Sequence, residues 1–404
     1  GEIQITKAGE DVLMEKYGHL SDKMDREEKL ERAKVALEGR FVKQLGRDYL
    51  VQGDSIILLS GEDRPQPGRR LEMGLMEIIE KANGCKQQMG QKVLMSFSHL
   101  EPYQLFKIFG GATGTIGLSA DEIKAYLGSG KVVLKIPYST PRISVGYDTE
   151  GTTPEEKIRK AVEIYKKENP TKPLKKIQFH LNIAEEDMQK YEAAASKVHA
   201  EIASNDPKAE TTFLREYLPT IFRAATGEAA REAWANAIVS DSVQRAQNDD
   251  ASKNQAVIIG VQSAVEAEII KQKLIAGGAR DVEVLSGVNY LDEKSIVSRA
   301  GRQGSITIVT NMGARGTDYL VELAYKDKGI HLNITSVRPN QRAYLQLFGR
   351  IARKGQSGSV SVMMYASNDG RGQEFAQMLI NSPLFAQELA KGGIHITNGR
   401  VVVD

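Results

Sequence analysis

From residue 254 onward the sequence alternates short apolar runs with amphipathic stretches, and few folds accept that pattern. Gln255-Ala256-Val257-Ile258-Ile259-Gly260 is a continuous apolar run of strand length. A helical spacing follows at Val265, Ile269, Ile270 and Leu274, closed by Gly277-Gly278. Strand-like runs then recur at Val282–Leu285, Ser305–Thr310, His331–Val337 and Ser359–Tyr365, with helical patterns near Glu293–Ala300 and over Gln341–Arg353. Strands that are apolar throughout are covered on both faces, and strand–helix alternation supplies the crossovers that parallel pairing needs. The pattern predicts an α/β fold, a parallel sheet with helices on both faces. The tail predicts a helix over Gly372–Lys391 and a last strand at Arg400–Val403.

The earlier residues are less regular. Residues 1–50 are charged and helical in spacing, with Leu30, Ala33, Ala36 and Leu37 on one face. Tyr49-Leu50-Val51 and Ser55–Leu59 flank a Gly53-Asp54 hairpin signal. GEDRPQPGRR (61–70) is a loop, and Leu71–Asn83 reads as a helix. Val93–Phe97 is strand-like, Glu101–Phe109 helical, and GGATGT (110–115) glycine-rich. A basic strand, Lys131–Ile136, precedes Pro137 and Pro141, which predict a linker over 137–153. Thr153-Pro154-Glu155-Glu156 opens a helix, with a capping residue, a first-turn proline and acids facing the positive helix end. The pattern from 154 to 250 reads as helical almost throughout. Within 169–253 large apolar residues such as Phe179, Leu181, Phe213, Trp234 and Ile238 predict a compact helical module, since spacers lack such content.

Bulk numbers narrow the class. At 404 residues, 41% hydrophobic and 26% charged, the chain has an ordinary globular composition with room for more than one core. A net charge of +2 gives no strong nucleic-acid signal. Cys85 is the single cysteine, so no internal disulfide forms and a reducing, cytoplasmic setting is expected. No apolar run approaches the ~18 residues of a membrane span. The sequence starts at Gly1, as a cleaved tag would leave it, and is expected to be a piece of a longer protein.

Two segments carry chemistry. Thr310-Asn311-Met312-Gly313-Ala314-Arg315-Gly316-Thr317-Asp318 follows a strand directly, and the C-terminal ends of parallel strands are where α/β sheets bind ligands. Arg315 offers a fixed charge and Asp318 an acceptor; the segment reads equally as a strand-ending turn with a surface arginine. In the second, Arg342, Gln346, Arg350 and Arg353 share one helical face. A solvated face would look similar, but the stripe favours arginine, whose planar fork suits phosphate oxygens, and Gly349 would cost a helix interior about 1 kcal/mol.

TNMGARGTD (310–318) and QLFGRIARKGQSGS (346–359) together resemble motifs five and six of SecA, the bacterial preprotein translocase ATPase, whose patterns are close to TNMAGRGTD and QLRGRSGRQGDxGS. The stretch 36–75, which includes Pro67-Gly68-Arg69-Arg70, is similar to the family's PGRR region, and FGGATGT (109–115) looks like its motif three. The order Gly313-Ala314 is swapped against the family; Ile351-Ala352 replaces Ser-Gly, Lys354 replaces Gln, Gln356 replaces Asp, and Tyr344-Leu345 replaces Asp-Asn.

The resemblance implies a RecA-like sheet, the second lobe of a superfamily-two motor, over 254–404. It implies the tail of a preprotein cross-linking region over 1–60, the end of a first nucleotide-binding lobe over 61–145, and a linker, helix and helical insertion over 146–253. Arg350 and Arg353 match arginines that reach nucleotide phosphates. Arg315, Gly316, Asp318, Arg342 and Gln346, with Thr113, Gly114 and Thr115 in the motif between lobes, match nucleotide-binding or coupling positions. The implied cofactor is ATP with Mg, held mainly by a first lobe; no metal site is expected in this chain. No GxxxxGK[ST] and no Walker-type Asp-Glu pair occur, so the chain alone is expected to be inactive while the whole protein is an ATPase. The implied partners are a preprotein or other polypeptide and a membrane translocon, at a cytoplasmic or peripheral membrane location; the partner of 169–253 is unknown. Two alternatives stay open: a degenerate, non-catalytic interaction protein using the insertion, and a nucleic-acid helicase lobe.

Overall fold

The computed structural model describes residues 3–20, 25–60, 63–89, 101, 105–106, 110–111, 138–146, 148–204, 206–217, 220–222, 226–314, 317–321, 327–335, 346–365, 394–397 and 400–403. The chain divides into two units, one formed by 1–108 with 263–265 and 286–290, the other by the remainder.

In the first unit, helices α1 (Lys7–Tyr17) and α2 (Arg26–Leu37) are capped by the side chains of Thr6 and Asp25 and bury no residue fully. Strands β1 (Tyr49–Gln52), β2 (Ser55–Leu59) and β3 (Pro65–Gln66) form an antiparallel sheet. The expected hairpin is present, with Tyr49 opposite Leu58 and Gly53 at φ +58 in its turn. The alternating inward residues Ile56 and Leu58 meet Leu75, Met76 and Ile79 of α3 (Leu75–Ala82), with Cys85 in the same core. Arg70 lies against α3, where Nη1 donates to Glu80 Oε1 at 2.7 Å, so this PGRR arginine is a structural group.

The second unit is built on a nine-stranded sheet whose pairings are all parallel. In chain order its elements are β4 (Arg142–Gly146), α4 (Pro154–Glu168), β5 (Lys176–Asn182), α5 (Met188–Ile202), β6 (Glu210–Glu216), β7 (Thr220–Phe222) and α6 (Gly227–Ala246). Then follow β8 (Ala256–Gly260), α7 (Ala264–Ala276), β9 (Val282–Leu285), α8 (Glu293–Arg299), β10 (Ile306–Val309), α9 (Asn311–Ala314), β11 (Ile330–Ile334) and β12 (Gly358–Tyr365). Strand order is β4-β5-β6-β12-β11-β8-β10-β9, with β7 also on β12. The strands expected from the apolar runs after 254 all form, and β8, β10 and β11 are buried at every position. This is the α/β arrangement with a parallel sheet that the pattern predicts. A separate hairpin, β13 (Ile394–Thr397) with β14 (Arg400–Val403), includes the expected last strand. The expected elements at 93–97, 131–136 and 372–391 lie outside the described residues.

Two expectations are corrected. Residues 137–153 do not simply link lobes, because β4 within them pairs with β5. Nor is 169–253 a helical module projecting from the sheet: β5, β6 and β7 belong to the sheet, and Leu214–Glu216 pairs with Gly358–Val360. The physical reason lies in alternation. In Lys176-Ile177-Gln178-Phe179-His180-Leu181-Asn182, Ile177, Phe179 and Leu181 are fully buried against α4 and α5, with Ile158, Val162, Ala195 and Val198. Burying each such side chain is worth about 1.5–3 kcal/mol. The helix at 154–168 forms as expected, with a capping box between Thr153 and Glu156.

Candidate functional site

The loop after β10 is built tightly. Thr310 and Met312 are buried, and Thr317 Oγ1 donates to Gly313 O at 2.5 Å. Tyr319 Oη donates to the same carbonyl at 2.8 Å, and burial pushes its phenol up to about 12. A Cβ on Gly313 would lie 2.8 Å from Tyr319 Oη and 2.8 Å from Val309 Cβ. The glycine standing where the resembling pattern has alanine is thus what admits Tyr319.

The second segment reaches this loop. Arg350 Nη1 donates to Thr317 O at 2.7 Å, and Arg353 Nη1 to Asp318 Oδ1 at 2.6 Å. Arg353 Nε also donates to Gly349 O at 2.9 Å. The two guanidinium groups therefore converge on the loop at the C-terminal end of β10. Both are partly exposed, so the Arg353–Asp318 pair contributes orientation more than stability, roughly 0–1 kcal/mol.

One expectation about this segment is corrected. The helix does not run through Arg353: it ends at residue 348, and Gly349 begins a turn. Ala352 and Lys354 take left-handed conformations at φ +51 and +54, which no helix accommodates. Gly349 therefore carries no helix-interior cost, and Arg353 reaches Asp318 from a 352–357 loop. Gln346 is partly buried in the helix before the turn. Arg315, Gly316, Arg342, Thr113, Gly114 and Thr115 lie outside the described residues.

Sequence reasoning missed what holds that loop. The face of β4–β6 turned away from α4 and α5 carries a cross-strand row, Arg142, Gln178 and Thr212, in register. Gln178 is 1% exposed. Its Nε2 donates to Ala352 O at 3.0 Å and to Gln356 O at 2.7 Å. Its Oε1 accepts from Arg142 Nε at 2.5 Å, and Arg142 lies over the Tyr138 ring. Thr212 Oγ1 donates to Gly355 O at 2.7 Å, Phe213 N to Ser357 Oγ at 3.2 Å, and the His180 and Phe348 rings sit 5.8 Å apart. The signal available in sequence was the period-two pattern of 176–182.

A second polar cluster lies between α6 and the sheet. His331, fully buried, places Nδ1 2.7 Å from Ser359 Oγ and Nε2 3.3 Å from Asp241 Oδ2 and 3.2 Å from Asn333 Oδ1. Asp241 also accepts from Asn333 at 2.9 Å and from Arg245 Nε at 2.7 Å. Burial, then the Arg245 charge, holds His331 below its ordinary value, so it is neutral with the proton on Nε2. Burial opposes ionisation of Asp241, but His331, Arg245 and Asn333 outweigh it and hold the carboxyl well below the usual range. Every member is partnered, so this cluster fixes α6 on the sheet.

Among the described residues no group of three or more His, Cys, Asp or Glu could hold a metal, and no helix is long and apolar enough to cross a membrane.

Residues 229–336 match the family described as the SecA P-loop domain. The match begins inside α6 and ends just past β11. Protein translocase subunit SecA 2 of Magnetococcus marinus is 27% identical over 353 residues. The alignment covers 85% of this chain and 40% of that protein, so the chain spans less than half the length of the curated relative it matches. Among solved structures, Mss116p bound to single-stranded RNA and AMP-PNP matches 60% of this chain and 55% of that one, at 16% identity and a TM-score of 0.32. S. cerevisiae Dbp5 bound to RNA and ADP BeF3 matches 57% of this chain and 72% of that one, at 13% identity and a TM-score of 0.26.

Proposed function

We propose that this chain, which belongs to the SecA family, is the second-lobe part of an ATP-dependent motor that moves polypeptides. The observation that carries the reading is the convergence of Arg350 and Arg353 on the 310–318 loop through Thr317 and Asp318. In the proposed action ATP with Mg is held chiefly by another lobe, because the groups present here suit only the outer phosphates. Two guanidinium groups offer fixed, planar donors for a phosphoryl group in transfer. Asp318 holds Arg353 at the loop until closure, and the 310–318 loop, with Arg315 and Gly316, couples nucleotide state to that closure. Arg342, Gln346, Thr113, Gly114 and Thr115 belong to the same coupling set by their match to the family. The partners on this reading are an unfolded polypeptide and a membrane translocon, reached from the cytoplasmic side.

The test is ATP turnover of the whole protein with and without unfolded polypeptide. Stimulation by polypeptide, and a loss of roughly 10³-fold or more in kcat for Arg350→Ala or Arg353→Ala, is expected. Stimulation by single-stranded nucleic acid instead would replace this reading with a helicase. Turnover indifferent to both arginines would leave an interaction protein.

A further inference from the structure

The 352–357 loop, which carries Arg353, has a conformation that its own residues do not favour. Ala352 and Lys354 both sit at positive φ, a region that costs a side-chain-bearing residue about 1–2 kcal/mol. Such a loop keeps one shape only where its surroundings over-determine it. The surroundings that do so come from another part of the sequence, 174 residues away.

Gln178 is the centre of that support. A glutamine amide has two N–H donors and one carbonyl oxygen. Here both donors are spent on loop carbonyls, Ala352 O and Gln356 O, one at each end of the strained turn. The amide cannot serve equally well flipped, because its oxygen faces Arg142 Nε, which only donates. Arg142 is in turn seated over Tyr138. Thr212, the next residue in the row, holds the loop's third carbonyl, that of Gly355. Gly355, at φ +74, lies so close that an added Cβ would come within 2.7 Å of Thr140 Oγ1. Two neighbouring strands thus meet one loop through Gln178 and Thr212, with Arg142 of the third orienting Gln178, and both loop-facing residues bond backbone carbonyls, so they set its shape independently of the loop's side chains.

We propose that Gln178 is a positioning residue for Arg353 and, through the same loop, for Arg350. The strands β4–β6 are then the platform on which the arginine loop is registered, and a displacement of that platform is a displacement of the arginines. The inference rests on the proposed phosphate role of those arginines, and misplacing a catalytic group by about 1 Å costs on the order of 100-fold.

The experiment uses the whole protein with Gln178→Leu, which keeps volume and loses both donors, and Arg142→Met, which keeps Gln178 and removes its orienting partner. Two readouts are taken on each: amide hydrogen exchange over residues 349–357, and kcat and KM for ATP, with Arg353→Ala alongside. Gln178→Leu is expected to raise loop exchange about 10-fold or more and lower kcat by roughly 10- to 100-fold with KM for ATP little changed. Arg142→Met should move both in the same direction by less. Unchanged loop exchange in folded Gln178→Leu overturns the inference whatever the turnover. Raised exchange with normal kcat, where Arg353→Ala is inactive, overturns it too. Raised exchange in a protein whose turnover ignores Arg353 instead removes the proposed function and leaves Gln178 as the support of the loop.

Discussion

Ala352 occupies a left-handed position that the SecA pattern gives to glycine. The strain of about 1–2 kcal/mol exceeds the extra unfolded-state entropy of a glycine, about 0.5–1 kcal/mol. Ala352→Gly is therefore expected to stabilise the chain by about 0.5–1 kcal/mol, read as a higher urea midpoint with unchanged slope. His331 provides a second single-residue expectation. Its native pKa lies below the ordinary 6.5, so the unfolded chain takes up a proton where the native one does not. Stability is present above 6.5 and falls as pH drops below it, by up to about 1.4 kcal/mol per pH unit until the native group itself protonates. Asp241, held ionised, adds a further loss only below its ordinary 3.8. The thermal midpoint should decline as pH falls below about 6.5, and His331→Gln, though less stable throughout, should show a flatter decline there.

At the scale of elements, β12 depends on β6 and β7 along one edge and on β11 along the other. Deletion of 170–252 with a short Gly/Ser bridge removes β5, α5, β6, β7 and α6 together, leaving β4 unpaired and Val257, Ile270 and Leu274 without the Trp234 and Ile238 that share their core. The shortened chain is expected to lose its cooperative unfolding transition and to bind a dye for exposed apolar surface. What could be read in sequence divides along the same line. Strands β8, β10 and β11 are buried at every position and rich in Val and Ile, so they are legible without their neighbours. Strands β5 and β6 alternate, lie between strongly helical stretches, and bury one face only through α4 and α5. Their short alternation was outweighed by the helical spacing on either side. The arginines of the candidate site were legible by type and order, and Arg350 and Arg353 do meet the 310–318 loop. Gln178 and Thr212 were not, because nothing local marks a residue whose partner is a backbone carbonyl far along the chain.

For the molecule as a whole, the proposed function gives the arginine pair nothing to act on until another lobe presents a phosphate. This chain, purified with ATP and Mg, is expected to release phosphate at the background rate, with Arg350→Ala indistinguishable from it. Turnover well above background that survives Arg350→Ala would mean a nucleotide site of a different kind within these 404 residues.

The strand order has a consequence for synthesis. The ribosome delivers β4, β5 and β6 long before β12, yet β6 closes only on Gly358–Val360, and the row of Arg142, Gln178 and Thr212 waits for residues 352–357. A nascent βαβαβ segment can cover one side at once with α4 and α5. Its other side stays wet until β12 is made, with an open strand edge beside it, and such edges invite pairing with other chains. The polar row that later grips the arginine loop therefore also keeps an unfinished sheet compatible with water until its last strand is made.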